Sequence, residues 1–406
     1  MASSPDASDV PVPPQQGVAY KRLMAAASVS KVVQAATVAL PAVCLSAIGD
    51  QFDLGYAGRG LLSSVRMAML LSVVLVAGYL SDRLGRRHFL WVSMVLIAAG
   101  VGATYFANTY GLLLILQGAV GIGVGGLEAL VNTLIAELRP KGAGRRLNLV
   151  NALFSAGLLG TALLSGALLH AGVRWQLTFL LWPLPALLAA GLYAPRGYPA
   201  PHPLAGRVES VRHILGNGLF WLVLGAMVLA GAAEGGLIVW SANYVQDQMA
   251  ASSWGGAWAI ALCGGAMAIG RLITGLAVSR VSPIAIMLVS GVGFVLATTA
   301  LCFTQQLWLA WALFAAGGLF VACFWPTLLA VASDTIQAGS STLFALLSAG
   351  GVIGCALLPW LIGLLADVYD LRIGLLLLPA TMVLQVGVLV AIAVLLGRRD
   401  YSEGRA

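Results

Sequence analysis

Long apolar stretches alternate with short polar segments along the chain. Twelve of them reach the roughly 20 residues that an α-helix needs to cross the hydrocarbon core of a bilayer. They cover about residues 29–50, 57–81, 88–107, 109–137, 146–170, 174–194, 218–246, 254–279, 283–304, 306–333, 341–367 and 371–397. The pattern predicts an all-α membrane protein with twelve transmembrane helices.

Composition supports this fold class and excludes several others. Of the 406 residues, 60% are hydrophobic and 9% are charged, whereas soluble domains are about 45–50% apolar and about 25% charged. A soluble enzyme, a secreted disulfide scaffold and a disordered interaction protein are therefore excluded. The 5 cysteines lie inside apolar stretches without CxxC spacing, and the 4 histidines lie at span ends or in the central linker. We expect no enzymatic activity, no metal and no cofactor.

Basic residues predict the orientation in the membrane. With the N-terminus in the cytoplasm, the side opposite the cytoplasm keeps only Arg59, Arg174 and Arg372 among the loop cations. This asymmetry is typical of an even number of spans with both termini inside, so the net charge of +7 requires no nucleic acid. We expect an inner-membrane protein with a cytoplasmic tail (1–28), a first six-helix bundle (29–194), a cytoplasmic linker (195–217), a second bundle (218–397) and a cytoplasmic C-terminal tail (398–406).

The two halves contain matching segments. Gly157-Leu-Leu-Gly160 corresponds to Gly351-Val-Ile-Gly354 at an offset of 194, and residues 132–136 match 326–330 at the same offset. Three such matches in order, the third at an offset of 197, indicate two pseudo-repeated six-helix bundles. Two related bundles in the same orientation are typical of transporters whose halves move about a central site.

The loop between the second and third spans carries a motif. It reads Gly78-Tyr79-Leu80-Ser81-Asp82-Arg83-Leu84-Gly85-Arg86-Arg87. Glycine permits a very short turn, and the arginines suit the anionic lipid headgroups of a cytoplasmic surface. The loop resembles the G-x-L-x-D-R-x-G-R-R signature of the major facilitator superfamily. The resemblance implies a conformational latch, with Asp82, Arg83, Gly85 and Arg86 as gating residues.

Charged residues inside the spans are functional candidates, because a charge at the bilayer centre costs about 2.5–3.5 kcal/mol on insertion scales. They are Arg66, Glu128, Glu234 and Arg271. Glu128 and Asn132 continue a glycine stripe on one face of the fourth span, and Asn151 shares a face of the fifth span with Ser155. These facing polar stripes predict a water-accessible central cavity.

Each candidate also has a structural interpretation. Glu128 would bind substrate or a proton, or would form an ion pair with Arg66 or with another buried cation. Arg66 would in turn neutralise an anionic substrate, and Glu234 would bind substrate or anchor the seventh span. Trp240 and Tyr244 would stack on a sugar ring, or would lie in helix interfaces.

A closer resemblance covers roughly residues 120–160. Gly126-Leu127-Glu128, Asn132, Leu138-x-Pro140, Arg146-Leu147-Asn148-Leu149 and Ser155-x-Gly157 resemble the fucose permease branch of sugar:proton symporters. The resemblance implies substrate-linked protonation of Glu128 and a cavity-lining role for Asn151. Two departures are that residues 32–49 contain no acid and that Phe154 replaces a sugar-binding asparagine of that branch.

The sequence thus predicts a monomeric secondary transporter that works by alternating access. We expect symport of a small polar solute, such as a sugar or sugar derivative, driven by the proton gradient through Glu128. The missing first-span acid and Phe154 favour an alternative, the proton-driven export of drugs or metabolites. A third alternative is a membrane sensor that keeps the fold without transporting. Small-molecule substrate, protons and membrane lipids are the expected partners.

Overall fold

The structure is a computed structural model that describes residues 14–138, 143–198, 212, 214–278, 280–336 and 340–403. All regular secondary structure within these residues is helical. Twelve of the described segments are long and apolar enough to cross a membrane, which confirms the predicted number of spans.

The spans are built from single helices or from two helices separated by a short break. Their bounds are: span 1, Pro14–Val43 with Leu45–Phe52; span 2, Tyr56–Leu84; span 3, Arg86–Ala103 with a 3-10 turn at Thr104–Phe106; span 4, Tyr110–Leu138; span 5, Ala143–His170; span 6, Trp175–Phe179 with Pro183–Tyr193; span 7, Gly218–Met249; span 8, Ser253–Ala277; span 9, Pro283–Phe303; span 10, Leu307–Val321 with Phe324–Thr335; span 11, Ser340–Val368; and span 12, Leu371–Leu375 with Leu377–Glu403.

Span 1 begins earlier than the hydrophobic pattern predicts. Its helix starts at Pro14 and its apolar part covers Val18–Val43, so residues 14–28 are helical and the predicted tail boundary at residue 28 is too late. Lys21 and Arg22 dilute the apolar signal there, although Nη2 of Arg22 donates to the carbonyls of Pro195 and Arg196 and so holds this part of the helix against the end of span 6. Residues 1–13, 404–406 and most of the predicted linker, 199–211 and 213, lie outside the described residues.

The two halves repeat one packing scheme. In the first half, span 1 packs against spans 5 and 6, span 4 packs against spans 2 and 3, and span 3 packs against span 6. Each pairing recurs six spans later: span 7 with spans 11 and 12, span 10 with spans 8 and 9, and span 9 with span 12. The predicted pair of pseudo-repeated six-helix bundles is therefore confirmed.

The bundles meet chiefly along the span pairs 2 with 11, 5 with 8, and 1 with 7, and span 1 also contacts span 8. We call the membrane face at which span 1 begins and span 12 ends the terminal side, and the other face the far side. Glycines bring spans 2 and 11 into close contact near the far side, where Gly60 lies against the carbonyl of Pro359 and Gly363 lies against that of Tyr56. Ser64 also donates a hydrogen bond of 2.5 Å to the carbonyl of Ala356.

Charged groups reinforce this contact at the far side. Arg59 of span 2 forms ion pairs with Asp247 of span 7 at 2.8 Å and with Asp50 at 3.3 Å. Asp367 of span 11 accepts hydrogen bonds from the backbone N–H groups of Tyr56 and Ala57, at 2.5 and 2.9 Å. A carboxylate there suits the positive end of the helix dipole of span 2. We call Arg59, Asp50, Asp247 and Asp367 the far-side latch.

Candidate functional site

A cavity of about 130 Å³ lies between the two bundles. Spans 1, 2 and 5 of the first half and spans 7, 8 and 11 of the second half contribute to its wall, so the predicted central cavity is present. Its polar lining residues are Ser63, Arg66, Ser155, Glu234, Arg271 and Cys355, and its apolar side chains are Val38, Met67, Phe154, Leu158, Ile238, Val239 and Met267. A cavity of about 150 Å³ accepts one benzene molecule in another protein, so this volume suits a single-ring solute.

Arg66 is the most deeply buried charge of the cavity wall, with 2% of its surface exposed. It lies ten residues into span 2, which is about 15 Å along the helix and therefore near the bilayer centre. Its Nη1 donates a hydrogen bond to the carbonyl of Thr37. Pro41 explains why this carbonyl is free, because proline has no N–H to bond the carbonyl four residues earlier.

Arg66 has no carboxylate partner among the described residues. Its Nε finds no acceptor, and Arg66 forms no ion pair with any carboxylate of the described residues. The interpretation of Arg66 as the partner of Glu128 is therefore wrong. A buried, unpaired guanidinium is costly, so its place in a cavity wall points to a role in ligand binding.

Glu128 forms an ion pair with a cation of span 1. Its Oε2 lies 3.5 Å from Nζ of Lys31 and accepts a hydrogen bond of 2.7 Å from Nε2 of Gln34. The Lys31 side chain is 5% exposed, whereas that of Glu128 is 42% exposed. Of the two structural interpretations of Glu128, the ion pair with a buried cation other than Arg66 agrees with the geometry, and that cation is Lys31. The exposure of Glu128 still leaves the carboxylate accessible to small molecules.

Sequence reasoning missed Lys31. Lys31 lies inside the first predicted span, 29–50, but only two residues from its start, where a lysine side chain is expected to reach the membrane surface. Lys31, Gln34 and Val38 follow the three- and four-residue spacing of one helix face, and Val38 lines the cavity. A lone lysine in the apolar part of span 1, on the face that carries Gln34, is the signal that could have identified it.

Glu234 and Arg271 pair within the second bundle. Nη2 of Arg271 on span 8 lies 3.2 Å from Oε1 of Glu234 on span 7, and both side chains line the cavity. The cavity thus receives a paired carboxylate and arginine from the second bundle and an unpaired arginine from the first.

Asn132 and Asn151 lie outside the described cavity wall. Asn132 is half-buried one turn beyond Glu128, and its Oδ1 is buried without a hydrogen-bond partner. Asn151 is exposed four residues before Ser155, on the side of span 5 that also carries Leu158. Both residues therefore lie on the terminal side of the cavity. Asn132 is near Glu128 and Asn151 is near Ser155, the neighbours that share their helix faces in the sequence.

Trp240 and Tyr244 require a correction. Both side chains are fully buried, and neither lines the described cavity. Nε1 of Trp240 donates to the carbonyl of Pro359 at 3.0 Å, and the Tyr244 hydroxyl donates to the carbonyl of Leu301 at 3.0 Å. These residues hold span 7 against spans 11 and 9, so the alternative of helix-interface residues is the one that the structure shows.

The gating motif is described only in part. Gly85 alone separates the helices of spans 2 and 3, and its φ of 77° is the left-handed conformation that glycine adopts without strain. The very short turn is therefore confirmed. Arg86 begins the helix of span 3 and is half-buried. The side chains of Asp82 and Arg83 lie outside the described residues, so their latch role stays a prediction.

Comparison with known families agrees with this fold. A family model of the Major Facilitator Superfamily matches residues 27–314 and 257–405. The chain belongs to this superfamily, and its fold is that of a transporter of small solutes.

Two curated relatives are named for different solutes. The chain is 26% identical over 176 residues, 43% of its length, to the putative niacin/nicotinamide transporter NiaP of Bacillus subtilis. It is 30% identical over 175 residues, 41% of its length, to the D-xylose transporter of Levilactobacillus brevis. The matched segments span 44% and 37% of those two relatives, less than half of each.

Solved structures share the fold over nearly the whole chain. A bacterial homolog of the human lysosomal transporter Spinster, in an inward-facing and occupied conformation, has a TM-score of 0.76 at 16% identity, with 94% of this chain and 98% of that chain covered. A D-xylose-proton symporter has a TM-score of 0.76 at 16% identity, with coverages of 91% and 97%. At this identity the likeness concerns the fold alone. The resemblance to the fucose permease branch is not confirmed.

Proposed function

We propose that the chain moves a small polar solute across the inner membrane by alternating access, coupled to protons through Glu128. The observation that carries this proposal is the hydrogen-bonded ion pair of Glu128 with Lys31 and Gln34, which joins spans 1 and 4 inside the membrane. A carboxylate that is both paired and 42% exposed can exchange a proton with water.

The pair offers a mechanism for coupling. The charged carboxylate of Glu128 attracts Lys31 and accepts from Gln34, so spans 1 and 4 are held together. Protonation removes the negative charge and hence the attraction to Lys31. Span 1 also contacts span 7 of the second bundle. A change at this ion pair therefore acts on a helix that touches both bundles.

The contacts between the two bundles support one conformation of the alternating-access cycle, the one that is closed at the far side. The far-side latch and the close approach of spans 2 and 11 join the bundles at the far side. We assign this geometry to a conformation closed at the far side. With the termini in the cytoplasm, as the basic residues predict, the cavity would face inward, and Asp82, Arg83, Gly85 and Arg86 would act as the latch of the opposite state.

The relatives support a small solute. Their names give niacin, nicotinamide and D-xylose, and each of these is a single-ring molecule, in keeping with the cavity volume. Sugars and their derivatives are thus candidates for this chain. Phe154 and the other apolar lining residues favour a second candidate function, the proton-driven export of a less polar metabolite.

The test measures substrate-dependent proton movement in liposomes that contain the purified full chain and an internal pH dye. We propose that the chain functions there as a monomer. A panel of D-xylose, L-fucose, nicotinate and benzoate is offered with an imposed pH gradient. We expect at least one of them to accumulate or to be expelled with the gradient, and the sign distinguishes import from export.

The matching variant is Glu128→Gln, with Asp334→Asn as control because Asp334 is an exposed carboxylate at the end of span 10. We expect Glu128→Gln to reduce gradient-driven accumulation to the level of protein-free liposomes, whereas solute exchange continues. The control should transport normally. Full accumulation with unchanged pH dependence in Glu128→Gln would remove this carboxylate from the coupling mechanism.

A further inference from the structure

The charges of the cavity wall do not balance. The charged side chains that line it are Arg66, Glu234 and Arg271, which sum to one positive charge. Glu234 is already paired with Arg271 at 3.2 Å. The excess charge is therefore that of Arg66, which no carboxylate of the described residues neutralises.

Arg66 is also built as a rigid donor. It is 98% buried, because only 2% of its surface is exposed, and its Nη1 is fixed by the carbonyl of Thr37. The Nε on the other edge of the guanidinium is buried without an acceptor. A guanidinium presents its N–H groups in a planar fork that matches the two oxygens of a carboxylate. An anion at the free edge would satisfy both the charge and this unpartnered donor.

Most of the rest of the wall is apolar, with Ser63, Ser155 and Cys355 as its uncharged polar side chains. Phe154, Met67, Leu158 and Met267 face the same space from spans 2, 5 and 8. Such a wall leaves most of the hydroxyls of a sugar without partners, which is costly in a buried site. A phosphate group carries nearly two negative charges and three acceptor oxygens, more than one unpaired arginine can satisfy.

We propose that the substrate is a small monocarboxylate with an apolar body of about one ring, whose carboxylate binds Arg66 and whose body packs against Phe154 and the two methionines. This inference rests on the proposed transport function, because it assigns the substrate class of the same cavity. It makes Arg66 the residue that selects the anion, whereas Glu128 carries the coupled proton at a separate place, on span 4 beside Lys31 of span 1.

Binding to purified protein in detergent tests this assignment without any need for transport. The probes are two matched pairs, benzoate with benzamide and nicotinate with nicotinamide, together with D-xylose, and the readout is a titration by thermal shift and by calorimetry. We expect each carboxylate to bind about tenfold or more tightly than its amide, the size of effect that a hydrogen bond to a charged group supplies. Equal binding of acid and amide, or preferential binding of D-xylose, would overturn the assignment.

Variants separate the residue from the fold. Arg66→Gln should remove the preference for the carboxylate, and Lys21→Gln, which removes an exposed cation near the start of span 1, should preserve it. If Arg66→Gln does not fold, the acid–amide comparison in the unaltered chain still decides the proposal. The two proposals can fail separately. If the carboxylates bind through Arg66 but the unaltered chain moves no protons in liposomes, the proton coupling is contradicted and this inference stands. If the proton gradient drives transport of a neutral solute and of no carboxylate, the proton coupling stands and this inference is overturned.

Discussion

Replacing Gly354 by alanine is expected to lower the free energy of unfolding by about 1–3 kcal/mol, the range for overpacked sites. Gly354 lies where spans 7 and 11 cross. A Cβ at this position would overlap the carbonyl oxygen of Val228 and would lie 2.5 Å from the backbone nitrogen of Ala232. Both neighbours are main-chain atoms of one helix, so neither can move aside as a flexible side chain does.

The internal repeat offers a matched control. Gly160 occupies the equivalent position 194 residues earlier, yet a Cβ there would meet nothing within 4 Å. We expect Gly160→Ala to be neutral or to stabilise by about 0.5–1 kcal/mol, since glycine weakens a helix interior relative to alanine. Thermal unfolding followed by size-exclusion chromatography in detergent measures both variants. Equal melting temperatures for the two would contradict the close crossing of spans 7 and 11.

Arg59→Glu is expected to open the far side of the protein. The change replaces the ion pairs of Arg59 with a cluster of three carboxylates, because Asp50 and Asp247 lie 3.3 and 2.8 Å from the arginine. Like charges placed together across an interface cost several kcal/mol. The equilibrium between the two conformations should therefore shift towards the state in which the bundles separate at the far side.

Distances between spin labels measure this shift. Phe106 at the end of span 3 and Tyr369 after span 11 are well exposed, one on each bundle at the far side, and each can be replaced by a labelled cysteine. We expect the label distance to lengthen in Arg59→Glu. Arg174→Glu reverses the charge of an exposed far-side arginine outside the latch and should leave the distance unchanged. An unaltered distance in Arg59→Glu would show that the latch does not hold this side closed.

The number of spans and their duplication could be predicted from the sequence because lipid imposes a simple rule. Each crossing requires about 20 apolar residues, and the two glycine pairs at 157/160 and 351/354 repeat in register. The apolar pattern predicts a start of span 1 that is too late, because hydropathy reports only the part of a helix that lies in hydrocarbon. Backbone hydrogen bonds continue the helix of Pro14–Val43 beyond that part.

The charge pairs were harder to predict because they depend on how helices cross. Helical spacing correctly placed Glu128 on a polar face, but it does not tell which neighbouring span supplies the cation, and Lys31 instead of Arg66 does so. The same limit applies to Trp240, whose N–H bonds to a carbonyl of span 11. Local spacing gives the direction of a side chain relative to its own helix, whereas its partner is set by tertiary packing.

The presence of Lys31 beside Glu128 has a consequence for how the carrier responds to voltage. Moving one elementary charge through a membrane potential involves about 2.3 kcal/mol per 100 mV. The ionised pair is electrically neutral, and it gains a single positive charge when the acid takes up a proton. If an anionic solute accompanies that proton, the loaded carrier returns to the electrical balance of the empty one. Such a cycle would be electrically silent, with accumulation set by chemical gradients alone.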